Sequence, residues 1–290
     1  MHPAPSVIVF TVLTGLGFGY LACLGIGVIR PAGWVAFGLW GLGYGLAVGG
    51  LLASTLHLGN PQRALLAFTQ WRSSWLSREA WLSVACLVAL APVALSDWLG
   101  LDLPRGFGVP GAALALATVA ATSMIYAQMN SVPRWNHWTT PLLFQAFALA
   151  GGAMLAGQGL VATALLAGLA AAQVAAFHFG DRQFAARGHS MATATGLGGI
   201  GEVSVFEQPH TGGNYLMREM IHVVGRKHAT KLRRIALLLS SLLPAAILLL
   251  PGHPAVIAAA TLCHLTGAAC ARWLFFAEAE HVVGLYYGQR

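Results

Sequence analysis

Residues 57–78 read HLGNPQRALLAFTQWRSSWLSR, and the fold turns on how this stretch is taken. Between two long apolar runs it gathers one histidine, three arginines, two tryptophans and an Asn60-Pro61 break. Apolar runs dissolve in lipid without further reason, whereas a basic and aromatic ledge at the mouth of a helix bundle requires one. Asn60 reads as a cap and Pro61 as a first helical residue. Ala64, Leu65, Phe68, Trp71, Trp75 and Leu76 then form one greasy side. The stretch is therefore expected as an interfacial helix along the membrane surface, with its tryptophans at headgroup depth. Ser77, two residues before Glu79, is the expected cap of the span that follows.

Outward from this ledge the chain is lipid-like. Of its 290 residues 57% are hydrophobic and 9% charged, against about a quarter charged in a soluble domain. A span needs about 20 apolar residues, which predicts eight: 5–29, 34–57, 79–100, 109–129, 138–157, 160–180, 235–251 and 255–277. The expected fold is all-α, a polytopic bundle of eight transmembrane helices forming a single integral membrane domain, 1–290. It carries an interfacial segment at 58–78 and one long polar extramembrane loop, 181–234, between the sixth and seventh spans. The first apolar run lacks a basic leader and a small-residue cleavage site, so it reads as a retained helix. Rows of small residues at fourfold spacing, Gly15-Gly19-Cys23-Gly27 and Gly41-Gly45-Gly49-Ala53, are expected at close helix seams, and one more step of the second arrives at His57.

With eight spans both termini share a face, side A, with the connections 58–78, 130–137 and 181–234. Thirteen Lys and Arg fall on side A, and only Arg30 and Arg105 on the other. The positive-inside rule places side A, and both termini, in the cytoplasm of a bacterial inner membrane. The net charge of +7 is accounted for by these flanks, and no nucleic-acid partner is expected. Cys23, Cys86, Cys263 and Cys270 lie within apolar spans without CxxC spacing, so no metal or iron–sulfur site is expected from this chain. GLGGIG at 196–201 lacks the preceding strand of a phosphate loop. The basic amphipathic run from Tyr215 to Arg234 suits both anchoring in lipid headgroups and docking of a partner.

The groups able to do chemistry gather on side A. His57 ends the second span beside Arg63 and Trp71; an isolated histidine there could equally cap a backbone carbonyl. Arg134-Trp135-Asn136-His137-Trp138 opens the fifth span, His178 closes the sixth beside Asp181, and Glu278, Glu280, His281, Tyr286 and Tyr287 follow the eighth. Aromatic walls, donors and titratable groups at one depth suit a hydrophobic quinone that takes up two protons. His57, Arg63, Trp71, Arg134, His137 and His281 are the candidate quinone residues, with His57 reactive. Haem is the rival use of His57, His178 and His264, but His264 lies near mid-span and offers no partner at matched depth. His264 is expected instead as a helix–helix hydrogen-bond partner. Arg272 is expected to snorkel or to pair with Asp181 or Glu278.

HLGNPQRA, WRSSWLSRE, SVPRWNHWTTPLLF and RWLFFAEAEHVVGLYYG resemble the membrane-anchor subunits of dimethyl sulfoxide reductase-type molybdoenzymes, across all eight spans. The resemblance implies a three-chain complex, with molybdopterin in a catalytic subunit and the clusters in an iron–sulfur subunit. The anchor exchanges electrons with ubiquinone or menaquinone, has no haem, and carries its functional histidine at the position of His57. The iron–sulfur subunit would dock on the 58–78 and 181–234 connections. The long connection itself departs from the reductase anchors and is similar to the membrane subunit of cytoplasm-facing, quinone-reducing sulfite dehydrogenases. That points to sulfite oxidation, with a quinol-using reductase anchor as the alternative. A secondary transporter would show an internal repeat and several ionisable residues at the midplane; no clear repeat is evident and only His264 is both ionisable and central.

Overall fold

A computed structural model describes residues 1–56, 60–207, 212–221 and 226–288; His57 therefore lies outside the described residues. Those residues contain helices and no strand. The first six α-helices are α1 (Pro5–Gly25), α2 (Gly33–Thr55), α3 (Trp75–Leu99), α4 (Gly108–Ala127), α5 (Thr139–Leu155) and α6 (Gly159–Ala186). A short α7 (Met191–Thr195) lies in the long connection. α8 (Ala229–Leu237) runs through a wide π turn, Leu238–Leu242, into α9 (Leu243–Ile247), and α10 (Pro254–Ala277) follows. Six stretches are long and apolar enough to cross a membrane: α1, α2, α3, Arg105–Ala127 (α4 with its leading turn), α6 and α10. α5 is apolar but 17 residues long.

α1 is the central element, packed on α2, α4, α5 and α10. Small residues allow these approaches: a Cβ on Gly19 would strike the backbone of Ala148 in α5, and one on Gly17 the backbone of Ala47 in α2. Without a hydrophobic force between helices in lipid, such contact supplies the association. The first fourfold row is therefore partly a seam. The second is not: Gly41, Gly45 and Gly49 have open space where a Cβ would stand. α2 instead turns Ala36, Trp40, Gly43, Ala47 and Gly50 inward, a face stepping by three and four as helical periodicity requires.

Two halves result. α3 packs on α4 and α2 beside α1, while α6, α9 and α10 gather around α5 and the π turn. The π turn has a local cause. A Cβ on Gly267 would overlap the backbone of Leu239 and Ser240, so α10 lies directly against the turn, where the displaced ladder opens carbonyls to outside donors. His264 uses this: its Nδ1 lies 2.6 Å from the Ser240 carbonyl oxygen. It is the helix–helix partner the sequence led us to expect.

Candidate functional site

Within the ledge, residues 60–74 fold back on the start of α3. Asn60 precedes a tight 3-10 helix, Pro61–Phe68, at the place of the expected interfacial helix, and makes no side-chain cap bond. The cap of α3 is Ser74, whose hydroxyl accepts from the Ser77 amide at 3.4 Å. Ser77, expected as that cap, instead donates to the Ala67 carbonyl and accepts from the Gln70 amide at 3.2 Å. Arg78 donates to the carbonyls of Trp71 (3.0 Å) and Arg72 (2.7 Å), with its guanidinium 4.3 Å from the Trp75 ring centre. Trp81 Nε1 donates to the Phe68 carbonyl at 3.0 Å. These ties hold open a groove of about 650 Å³ walled by Phe68, Trp71, Trp75, Arg78, Trp81 and Leu82. Its volume is that of a small-molecule site. Arg63 does not line the groove and is exposed on the 3-10 helix that ends at Phe68.

Next to Arg78 in the chain, Glu79 turns into the bundle and is 3% exposed. Its Oε1 lies 2.5 Å from Thr122 Oγ1 in α4, and that hydroxyl lies 3.0 Å from the Thr118 carbonyl. One hydroxyl hydrogen cannot serve both acceptors. Both are satisfied when Glu79 holds a proton and donates it to Thr122, which donates to Thr118. A carboxyl group inside a span is costly and by default functional. Sequence reasoning took Glu79 only as part of a cap; an acid within an apolar run was the available signal.

The second gathering of polar groups lies elsewhere. Arg134 pairs with Asp181 and, at 3.3 Å, with Glu278. Arg233 bonds Glu278 at 2.6 Å and both Asp181 oxygens at 2.7 and 2.5 Å. The square ties the entrance of α5 to α6, α8 and α10. Against the cost of burial, its paired carboxylates hold the Arg233 guanidinium above its usual range. Arg272 joins neither carboxylate and does not snorkel. It is 4% exposed and lies 3.6 Å from the Phe144 ring centre, because it stands more than a turn inside the end of α10 at Ala277. Trp135 is core, stacked on Phe275 and donating to its carbonyl at 2.8 Å. His137 rests against Trp138 and Phe179 and meets Thr139 at 2.9 Å; burial first and Arg187 second hold its imidazole below the usual value. His281 caps the final 3-10 helix, accepting from the Val283 amide at 3.0 Å, and burial lowers it likewise. Of the six sequence candidates, His57 lies outside the described residues, Trp71 lines the groove, and Arg63 is exposed on the 3-10 helix Pro61–Phe68 without lining it. Arg134, His137 and His281 lie around the α5, α6 and α10 ends, and no contact among the described residues joins them to Trp71. The described residues hold no group of three or more His, Cys, Asp or Glu able to bind a metal ion.

Six apolar stretches of membrane-crossing length define the class, a multi-pass membrane protein. The chain belongs to the DMSO reductase anchor subunit (DmsC) family, whose model matches residues 2–179. That match ends within α6, before the long connection in which the sequence departs from reductase anchors. Similarity to a sulfite dehydrogenase subunit of Allochromatium vinosum continues through it, at 32% identity over 327 aligned positions and 99% of both chains. No solved structure matches the chain. It is the membrane anchor subunit of a DMSO reductase-family complex.

Proposed function

We propose that this chain is the quinone-reacting anchor of a sulfite-oxidising complex in a bacterial inner membrane. Eight crossings fit the helices if α5 and the stretch 235–251, entered from α8, also span; at about 1.5 Å per helical residue both fall short of the roughly 30 Å core. Both termini and the polar connections are then cytoplasmic, by the thirteen-to-two distribution of Lys and Arg. The iron–sulfur subunit docks on that face, across 58–78 and 181–234. Molybdopterin and the clusters reside in the partner chains, and this chain holds neither haem nor metal.

The observation that carries the reading is the aromatic groove, whose wall residue Arg78 is followed in the chain by the buried acid Glu79. Phe68, Trp71, Trp75 and Trp81 offer flat apolar walls, and Arg78 brings positive charge to them; Arg63, exposed on the 3-10 helix Pro61–Phe68, is assigned to the quinone headgroup as a further cation. A quinone headgroup with an isoprenoid tail needs that combination, and the groove has room for it. Reduction of quinone to quinol takes two electrons, from the docked subunit, and two protons. His57, two residues beyond α2 in the sequence, is assigned the hydrogen bond to one carbonyl and the first proton. Glu79 holds a proton at the carboxyl facing Thr122 and supplies the second. The relative's name, that of a sulfite dehydrogenase, supports the direction; the family's reductase name supports the alternative of a quinol-oxidising anchor. A photoreactive quinone analogue bound to the intact complex should label the peptide 57–82. Labelling confined to 134–147 or 271–287 would move the site to the Arg134 side.

A further inference from the structure

Arg272 is a cation inside the membrane half of α10, and among the described residues it has neither an ion pair nor a hydrogen bond. It is held only by ring faces, Phe144 at 3.6 Å and Phe147 at 5.2 Å. An uncompensated buried charge is among the most destabilising features a fold can carry. Two neighbours are orphaned in the opposite sense. Gln173, 1% exposed, donates to the hydroxyls of Ser240 and Ser241, both at 2.9 Å, and leaves its Oε1 buried without a partner. His264, 2% exposed, meets the Ser240 carbonyl with Nδ1. A carbonyl only accepts, so Nδ1 carries the hydrogen and Nε2 of the neutral ring is a bare acceptor.

These three groups border two cavities. The outer one, about 40 Å³, opens beside Arg134 and Glu278 and reaches Gln173 and Arg272. The inner one, about 10 Å³, lies between Thr11, Gly15 and His264. Arg272 and Phe147 belong to the walls of both. A water needs about 10–15 Å³ on this measure and two to four polar partners, so there is room for about three waters outside and about one within.

We propose that the two cavities hold a single file of water hung on Arg272, forming a half-channel from the Arg134–Glu278 face to His264 Nε2. Each water beside the guanidinium accepts from it and donates onward, one to Gln173 Oε1 and one to His264 Nε2. All three orphaned groups are satisfied at once, and the cation keeps its charge by contact with solvent. An anion would compensate Arg272 but could donate to neither acceptor, and would face the Glu278 carboxylate in the wall. The charged and titratable groups around the file are Arg134, Arg233 and Glu278 at the mouth and Tyr126 of α4 within electrostatic reach of Arg272. The consequence is proton exchange between His264, near the middle of α10, and one face of the membrane only.

The test is water-edited solid-state NMR on the full chain in lipid vesicles with 15N-labelled histidine. His264 should show the neutral Nδ1–H tautomer, and its Nε2 should receive magnetisation from water at a rate comparable to exposed His253. Arg272→Met should cut that transfer at least fivefold and leave His253 unchanged, and Gln173→Leu should weaken it in the same direction. Wild-type protein whose His264 receives no water signal would overturn the proposal. So would a transfer that neither variant alters, or a His264 signal that lacks water and shifts when chloride is replaced by gluconate, which would mark an anion site.

Discussion

Glu79 shows how much one residue's placement depends on where a helix starts. With Ser77 as cap it would stand two residues into α3, at the surface; with Ser74 as cap it is the fifth helical residue and faces Thr122. No local pattern separates two serines three residues apart, so the acid was visible in the sequence and its burial was not. Glu79→Gln keeps the volume and removes the transferable proton. Quinone reduction by the intact complex should fall at least tenfold, about 1.4 kcal/mol of barrier, while assembly persists; unchanged turnover would leave Glu79 a structural acid. Glu278 was expected among the reactive groups and serves the ion-pair square. Its side chain is 5% exposed between two arginines, and Glu278→Gln should cost about 2 kcal/mol in thermal unfolding. That is below the 3–5 of a fully buried pair because both arginines reach solvent.

Among the elements, the six long helices were legible from length and apolar content, since lipid leaves a span few alternatives. Which glycine row packs was not. Fourfold spacing in α2 is met by Gly41-Gly45-Gly49, but the inner face is set by what α1 and α3 present, and Trp40 with Ala47 takes that side. Gly41→Leu and Gly45→Leu should therefore leave membrane insertion and heat stability of this chain unchanged, whereas Gly19→Leu, facing the Ala148 backbone, should prevent folding. Measured loss of folded yield in the α2 variants would contradict this packing. The α5 entrance adds a pH dependence. Burial and Arg187 make the His137 ring harder to protonate in the folded state, while the unfolded ring takes a proton as pH falls through about 6.5. The unfolded state then binds more protons, so stability should fall below pH 6.5 and be fully present above it. Unfolding temperatures at pH 5.5 and 7.5 should differ in that sense, and His137→Phe should narrow the gap.

For the whole molecule, the resemblance carried by HLGNPQRA and RWLFFAEAEHVVGLYYG correctly named the family, because those motifs span the chain. The division of polar groups into a groove by α3 and a square by α10 was invisible, since it depends on α1 standing between the two halves. Deleting residues 190–212 should release the partner subunits from the membrane while this chain still inserts, as a long polar connection in a compact bundle generally has a role. An assembled complex after that deletion would remove the loop from the docking face. A reporter fused after Arg290 should be active in the cytoplasm; activity only in the periplasm would reverse the orientation and favour the reductase alternative.

The most direct test of the central claim is quinone kinetics of the assembled complex carrying His57→Phe. The ring volume is kept and both nitrogens are lost, so the complex should assemble. Electron transfer from the clusters to quinone should drop at least tenfold, about 1.4 kcal/mol or more of barrier. Activity of the catalytic subunit with a soluble dye should be unchanged. Normal quinone kinetics in this variant would contradict the account and return attention to His137 and His281.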